Sequence, residues 1–224
     1  MCGRIANTLP NDAMAQLFAA APANDLPPAP NYNICPTNPV SAVVSTERRQ
    51  LVAMRWGFVP HWYKTPGDGP LLINARAETI AQKPAFRDAC RTRRCLIPAT
   101  GFYEWTKDQA GNRLPWYITP ADGAPVVFAG IWQNWPQGRE QDAPPLATCA
   151  IVTTLASADL SEIHSRMPVT LSKDQWALWL GEDGRGAARL MRPALNGAFR
   201  FWRVDPKVNS NRAAGPELIE PLKE

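Results

Sequence analysis

Prolines and glycines interrupt this chain too often for long helices, with 23 Pro and 14 Gly spread over 224 residues. Proline fixes φ and removes a backbone donor, and glycine raises the entropic cost of ordering, so both break regular helix. Punctuation this dense fits short strands joined by turns. A helix is expected at residues 12–20, with Asn11 as its cap and Met14, Leu17 and Phe18 on one face. A proline-rich stretch at 22–39 then crosses the surface, and residues 40–45 and 50–56 read as a hairpin about Glu47, Arg48 and Arg49. Residues 71–76 read as a strand, and 78–92 as two short helical pieces broken at Pro84. Further strands are expected at 95–97, 101–106, 116–119, 126–133, 147–153 and 199–204, with a helix at 172–180 capped by Ser172. Residues 134–145 read as an exposed loop too short to link domains. Strands without regularly alternating helices argue against a parallel βαβ sheet and for an α+β fold. The expected architecture is one domain over residues 1–224, mainly antiparallel strands forming a barrel-like core with a few peripheral helices.

Several function classes are excluded early. No apolar run is long enough to span a bilayer, and the first residues lack the charged and apolar regions of a secretory signal, so the chain reads as intracellular. Five cysteines (Cys2, Cys35, Cys90, Cys95 and Cys149) contain no CxxC pair, which argues against a disulfide framework. The only histidines, His61 and His164, lie in no ligand cluster, so neither a metal nor another cofactor is expected. Cys35, Cys90, Cys95 and Cys149 read as buried small hydrophobes. The net charge of +4 favours a polyanionic partner weakly, although 18 arginines against 6 lysines fit phosphate recognition as well as they fit codon bias.

Cys2 is the most informative single position. A second residue this small permits removal of Met1, and the mature chain then begins with a 1,2-aminothiol. Its amine attacks an aldehyde to give an imine, and the adjacent sulfur adds to the imine carbon to close a five-membered thiazolidine. An α-amino group with a pKa of about 7.7–8.0 is neutral in roughly a tenth of molecules at pH 7, against less than about a thousandth for an ordinary lysine.

Other polar residues extend this chemistry. Glu104 lies in the aromatic strand 101–106 and shares a face with Phe102 and Thr106 by alternation. Held among aromatics it is desolvated and useful for proton transfer; turned outward it is an ordinary solvated carboxylate. His164 stands two residues before Arg166, a spacing that can join an acid–base group to a phosphate anchor. Asn74 and Arg76 repeat the polar-x-Arg pattern in an apolar strand, where an unpartnered Asn is costly. Of the nine tryptophans, Trp56, Trp62 and Trp105 adjoin polar segments and suit stacking on unpaired bases, whereas Trp132, Trp135, Trp176, Trp179 and Trp202 read as core.

The ordered segments Met1-Cys2-Gly3-Arg4, Tyr32-Asn33-Ile34-Cys35-Pro36-Thr37, Met54-Arg55-Trp56-Gly57-Phe58-Val59-Pro60 and Ile73-Asn74-Ala75-Arg76-Ala77-Glu78-Thr79 carry a resemblance. It continues through Arg94-Cys95-Leu96-Ile97-Pro98, residues 101–105, residues 163–168 and Val208-Asn209-Ser210. Together they resemble the SOS-response-associated peptidase family, whose members shield abasic sites. The resemblance implies an α+β domain with a DNA-facing cleft, and capture of abasic sites in single-stranded DNA as a thiazolidine crosslink at Cys2. It implies proton transfer by Glu104 and His164, and positioning of the N-terminus or the sugar by Asn74. It further implies phosphate contacts from Arg4, Arg76 and Arg166, and stacking by Trp105. The one departure is Cys35, where many relatives carry a smaller residue such as Ala. A monomer whose partner is abasic single-stranded DNA is expected, and self-processing that removes Met1 is compatible with this picture.

Three other classes remain open on sequence. An N-terminal-nucleophile amidohydrolase also begins Met-Cys-Gly, and glutamine hydrolysis separates it. A thiol protease pairing Cys2 with His164 requires cleavage of other proteins. A noncovalent single-strand binding module yields no denaturant-resistant crosslink.

Overall fold

The computed structural model describes residues 2–136 and 144–222. Its strands in chain order are β1 (Ile5–Asn7), β2 (Ala21–Pro22), β3 (Asn31–Ile34), β4 (Pro39–Ser45), β5 (Arg49–Trp56), β6 (Asn74–Arg76) and β7 (Arg94–Ala99). They continue with β8 (Gly101–Lys107), β9 (Arg113–Pro120), β10 (Val126–Trp135), β11 (Leu146–Leu155), β12 (Arg166–Pro168) and β13 (Phe199–Arg203). Three short α-helices lie among them: α1 (Asn11–Phe18), α2 (Arg87–Thr92) and α3 (Trp176–Leu180).

The strands form two sheets. A five-stranded sheet runs β13-β9-β8-β1-β3, and a larger one includes β11-β10-β7-β4-β5 as consecutive neighbours. Parallel pairing of Thr148 with Arg55 and Cys149 with Trp56 returns β5 to β11 and closes a five-strand barrel. The fold is thus α+β, with mainly antiparallel strands, a barrel-like core and peripheral helices. The parallel pairs, β5 and β6 on β11 and β2 on β5, join strands separated in sequence by two or more other strands rather than by the single crossover helix of a βαβ unit.

Period-two alternation gives the strands two apolar faces. Cys95 and Ile97 of β7, with Phe128 of β10 and Ile151 of β11, pack towards Ile5, Phe102 and Ile118 of the five-stranded sheet. Leu96, Val127, Ala150 and Val152 pack instead with Met14 and Phe18 of α1 and with Trp176 and Trp179 of α3. The far side of the five-stranded sheet, Tyr103 and Tyr117, is covered by Val208 and Leu218 from the C-terminal segment. As expected from sequence, Trp135, Trp176 and Trp179 are buried, and Trp132 and Trp202 pack against core clusters.

Several local expectations are corrected. The first helix spans Asn11–Phe18, and Pro10 rather than Asn11 precedes it, its carbonyl accepting from the Met14 N–H at 3.0 Å. Asn11 instead donates to the Pro27 carbonyl, and Ala19, at φ 49°, ends the helix in the left-handed region. Of the two helical pieces expected in 78–92 only α2 forms; residues 77–80 turn instead, as Thr79 N–H reaches back to Arg76 and Ile80 is buried. The stretch 22–39 is not merely a surface crossing, because β3 runs through it and buries Asn33 and Ile34 beside β1. In 134–145, Asn134 and Trp135 belong to β10, while residues 137–143 lie outside the described residues. The C-terminal helix begins as a tighter turn at Lys173–Gln175, whose Gln175 side chain accepts from the Ser172 N–H.

Candidate active site

The short β1 determines where the N-terminus goes. Ile5 pairs with Ile34 on one side and with Phe102 on the other, so β1 is an interior strand of its sheet. Cys2, three residues upstream, is thereby drawn into the core between the two sheets, with no exposed surface. Its neighbour Gly3 lines a cavity of about 460 Å³ together with Glu104, Trp105, Arg113 and His164.

Asn74 reaches Cys2 from the barrel. Pairing of Ile151 with Asn74 fixes the start of β6 against β11, and the Asn74 Nδ2 donates to the Cys2 carbonyl at 2.9 Å. Its Oδ1 is buried with no hydrogen-bond partner among the described residues. That acceptor meets the requirement that a buried amide be satisfied only if a further donor arrives.

Glu104 sits opposite Trp116 on β8 and is 3% exposed, so the desolvated reading from sequence holds and the outward one does not. Burial raises its carboxyl above the ordinary value, an effect partly offset by positive charge nearby, including that of His164. Burial likewise pushes the Cys2 thiol far up, and the Glu104 charge pushes it further. Both effects favour the protonated thiol over the thiolate. The His164 Nδ1 accepts from the Arg166 N–H at 3.0 Å, so in the neutral ring the proton is on Nε2. Cys2, Asn74, Glu104 and His164 thus converge from β1, β6, β8 and the segment before β12.

The residues nominated for DNA contact fall into two groups, Arg4 and Trp105 lining the cavity and Arg76 and Arg166 beside β11. On β11, Thr153 pairs with Arg76 on one edge and with Pro168 on the other, which brings β6 and β12 to opposite flanks of one strand. Arg76 is exposed. Arg166 is bound to Glu78 at 3.0 Å and to the Thr153 carbonyl at 2.8 Å. At the cavity, Arg4 is 6% exposed and its guanidinium donates to Asn33 Oδ1, to the Val208 carbonyl and to Asn211 Oδ1. Asn33 completes this lock by donating to the Ser210 and Ala213 carbonyls. Asn33→Ala strands a buried guanidinium N–H and two carbonyls, and is expected to lower unfolding stability by about 3 kcal/mol in urea titrations. A loss below about 0.5 kcal/mol would show that water replaces these bonds.

The Trp105 Nε1 donates to Asn209 at 2.6 Å, and its ring lies beneath Arg113 at 4.5 Å and near Arg4 at 5.8 Å. Arg113, Asn33, Asn209 and Asn211 were not singled out from sequence as site residues. Only the β8–β9 register, which pairs Lys107 with Arg113 and Trp105 with Pro115, puts Arg113 on the Trp105 face. Trp56 is not a base-stacking residue: it is fully buried and its Nε1 donates to the Ile73 carbonyl. Trp62 is half exposed and meets the His61 and Tyr63 rings edge to face. Among the described residues, no group of three or more His, Cys, Asp or Glu side chains is arranged to hold a metal ion. No helix among them is long and apolar enough to cross a membrane.

The chain is 34% identical to the abasic site processing protein YoqW of Bacillus subtilis over 197 residues, covering 85% of this chain and 86% of that one. It is 31% identical to the abasic site processing protein YedK of Escherichia coli, covering 99% and 100% of the two chains. A crystal structure of a protein from Bacteroides thetaiotaomicron superposes with a TM-score of 0.84 at 22% identity, over 99% of this chain and 100% of that one, and so shares the fold. The model of the SOS response associated peptidase (SRAP) family matches residues 1–211, and the chain belongs to that family.

Proposed function

We propose that this protein processes abasic sites in single-stranded DNA by covalent capture at Cys2 after loss of Met1. The observation that carries the reading is the placement of Cys2, held through its carbonyl by Asn74, beside a cavity that Gly3, Glu104, His164 and Arg113 line. The names of the relatives, abasic site processing proteins, support the same substrate.

The chemistry follows from what these groups can donate and accept. Hydrolysis of the Met1–Cys2 bond frees an α-amine, and the partnerless Asn74 Oδ1 accepts one of its N–H groups. The amine lone pair attacks the aldehyde carbon of the ring-opened deoxyribose to form a carbinolamine. A proton from the Glu104 carboxyl or from His164 lets the hydroxyl leave as water, giving the imine. Sulfur then adds to the imine carbon, and the thiol proton passes to the imine nitrogen through the same groups. Amine, thiol and aldehyde become a thiazolidine and one water. Burial raises the Glu104 carboxyl above its ordinary value, towards the range in which a carboxyl both gives and takes a proton. Positioning by backbone contacts carries little base information, so slight sequence preference is expected. Salt weakens the encounter and not the finished adduct.

The test is incubation with a single strand carrying one abasic site, followed by denaturing electrophoresis and intact mass. A product with the mass of the chain lacking Met1, plus DNA, minus one water, is expected. A chain that has lost Met1 and still forms no adduct, but hydrolyses glutamine or cleaves other proteins, overturns the proposal.

A further inference from the structure

We propose that Arg113, which lines the cavity beside Cys2, is a phosphate contact for the single strand. This rests on the reading of the cavity as a DNA site, and it concerns a residue that the sequence segments shared with the family do not include. Four arginines are candidates for phosphate contact, Arg4 and Arg113 lining the cavity and Arg76 and Arg166 beside β11, but they are not equivalent. Arg4 is buried and donates to three protein acceptors, and Arg166 is held by Glu78 and Thr153. A guanidinium engaged in this way is a poor fork for a phosphate, because its oriented N–H groups are already used.

Arg113 and Arg76 are the exposed ones. Among the described residues no carboxylate lies within ion-pair distance of either. Arg113 lies over the Trp105 ring, its guanidinium carbon 4.5 Å from the centroid. That stack fixes the plane and lowers the entropy lost on binding an anion, while the N–H edge stays available. Trp105 is itself pinned by Asn209, whose Nδ2 donates to the Arg113 carbonyl at 3.2 Å. Arg113 also adds like charge beside Arg4, whose cationic form burial already disfavours. An anion at this wall relieves both. Trp105 is then a positioning residue that aims Arg113, since Arg113 occupies the ring face a base would stack on.

The experiment measures equilibrium binding of a fluorescent single strand without an abasic site, so that no chemistry at Cys2 is needed. Affinity is followed between about 50 and 200 mM salt for wild type, Arg113→Met and Arg113→Lys. Methionine keeps apolar contact with Trp105 but not the charge, and is expected to reduce the log–log salt slope by about 0.7, one single-strand phosphate contact. Lysine keeps the charge and is expected to retain the wild-type slope. A methionine variant with the wild-type slope, or a lysine variant that loses as much as methionine, overturns the proposal. So does a wild-type protein with no affinity for the strand. Adduct formation by wild type on an abasic strand is scored in parallel. Its absence with the slope change intact removes the capture reading and leaves the Arg113 contact standing.

Discussion

Cys2→Ala is expected to give no denaturant-resistant adduct with abasic single-stranded DNA, yet to give one when borohydride is added. Alanine is small enough for Met1 removal, so the variant still presents a terminal amine near Asn74. That amine is neutral in roughly a tenth of molecules at pH 7, enough to form an imine with the ring-opened sugar. Without sulfur the imine has no second nucleophile and reverts to aldehyde in water. Hydride reduction converts it to a stable secondary amine, which separates the contribution of the amine from that of the thiol. An Ala variant that crosslinks as well as wild type without reductant would mean that another nucleophile carries the reaction. One that fails even with borohydride, after confirmed loss of Met1, would mean that the terminal amine does not reach the aldehyde. Burial of Cys2 has a second consequence, since a covered and protonated thiol reacts slowly with alkylating reagents.

Glu104→Gln is expected to slow adduct formation by about 10²–10⁴-fold while making the protein more stable at neutral pH. Glutamine conserves shape but cannot deliver or take a proton, so dehydration of the carbinolamine and closure by sulfur both lose their relay. Stability moves the other way because the Glu104 pKa is raised in the fold, chiefly by burial. A raised carboxyl favours folding below its unfolded pKa of about 4.3, and that advantage is lost as pH rises through the folded value. Glutamine never ionises and so escapes the loss. The gap in melting temperature between variant and wild type should therefore be close to zero near pH 4 and widen as pH rises above the unfolded value of about 4.3. A gap independent of pH would refute the assignment of the penalty to ionisation of this carboxyl. Opposite signs for rate and stability are what a strained reactive group predicts, whereas a structural Glu104 would lose both together.

Much of this architecture was legible locally. The strands β4, β5, β7, β8, β10 and β11 were recognised because their alternating apolar residues and bounding turns are written into neighbouring positions. The aromatic setting of Glu104 raised the prospect of its desolvation, and the Met-Cys-Gly start supplied the chemistry of an aminothiol. Asn74 was legible because an unpartnered Asn in an apolar strand is costly, and His164 because it stands two residues before Arg166.

What tertiary structure alone decided is pairing across long sequence separations. The three-residue β1 has too few positions to show a period and exists because β3 and β8 pair with it from both sides, which in turn buries Cys2. Trp56 adjoins polar segments in sequence yet lies wholly inside, since parallel pairing of β5 with β11 closes the barrel around it. The arginines make the same point. Arg4 is locked by the Val208 carbonyl 204 positions away, whereas Arg113 is left exposed on Trp105. Residue type determines that a guanidinium can bind a phosphate. Whether its donors are still available depends on which carbonyls and carboxylates the fold brings within about 3 Å, and no local pattern encodes that.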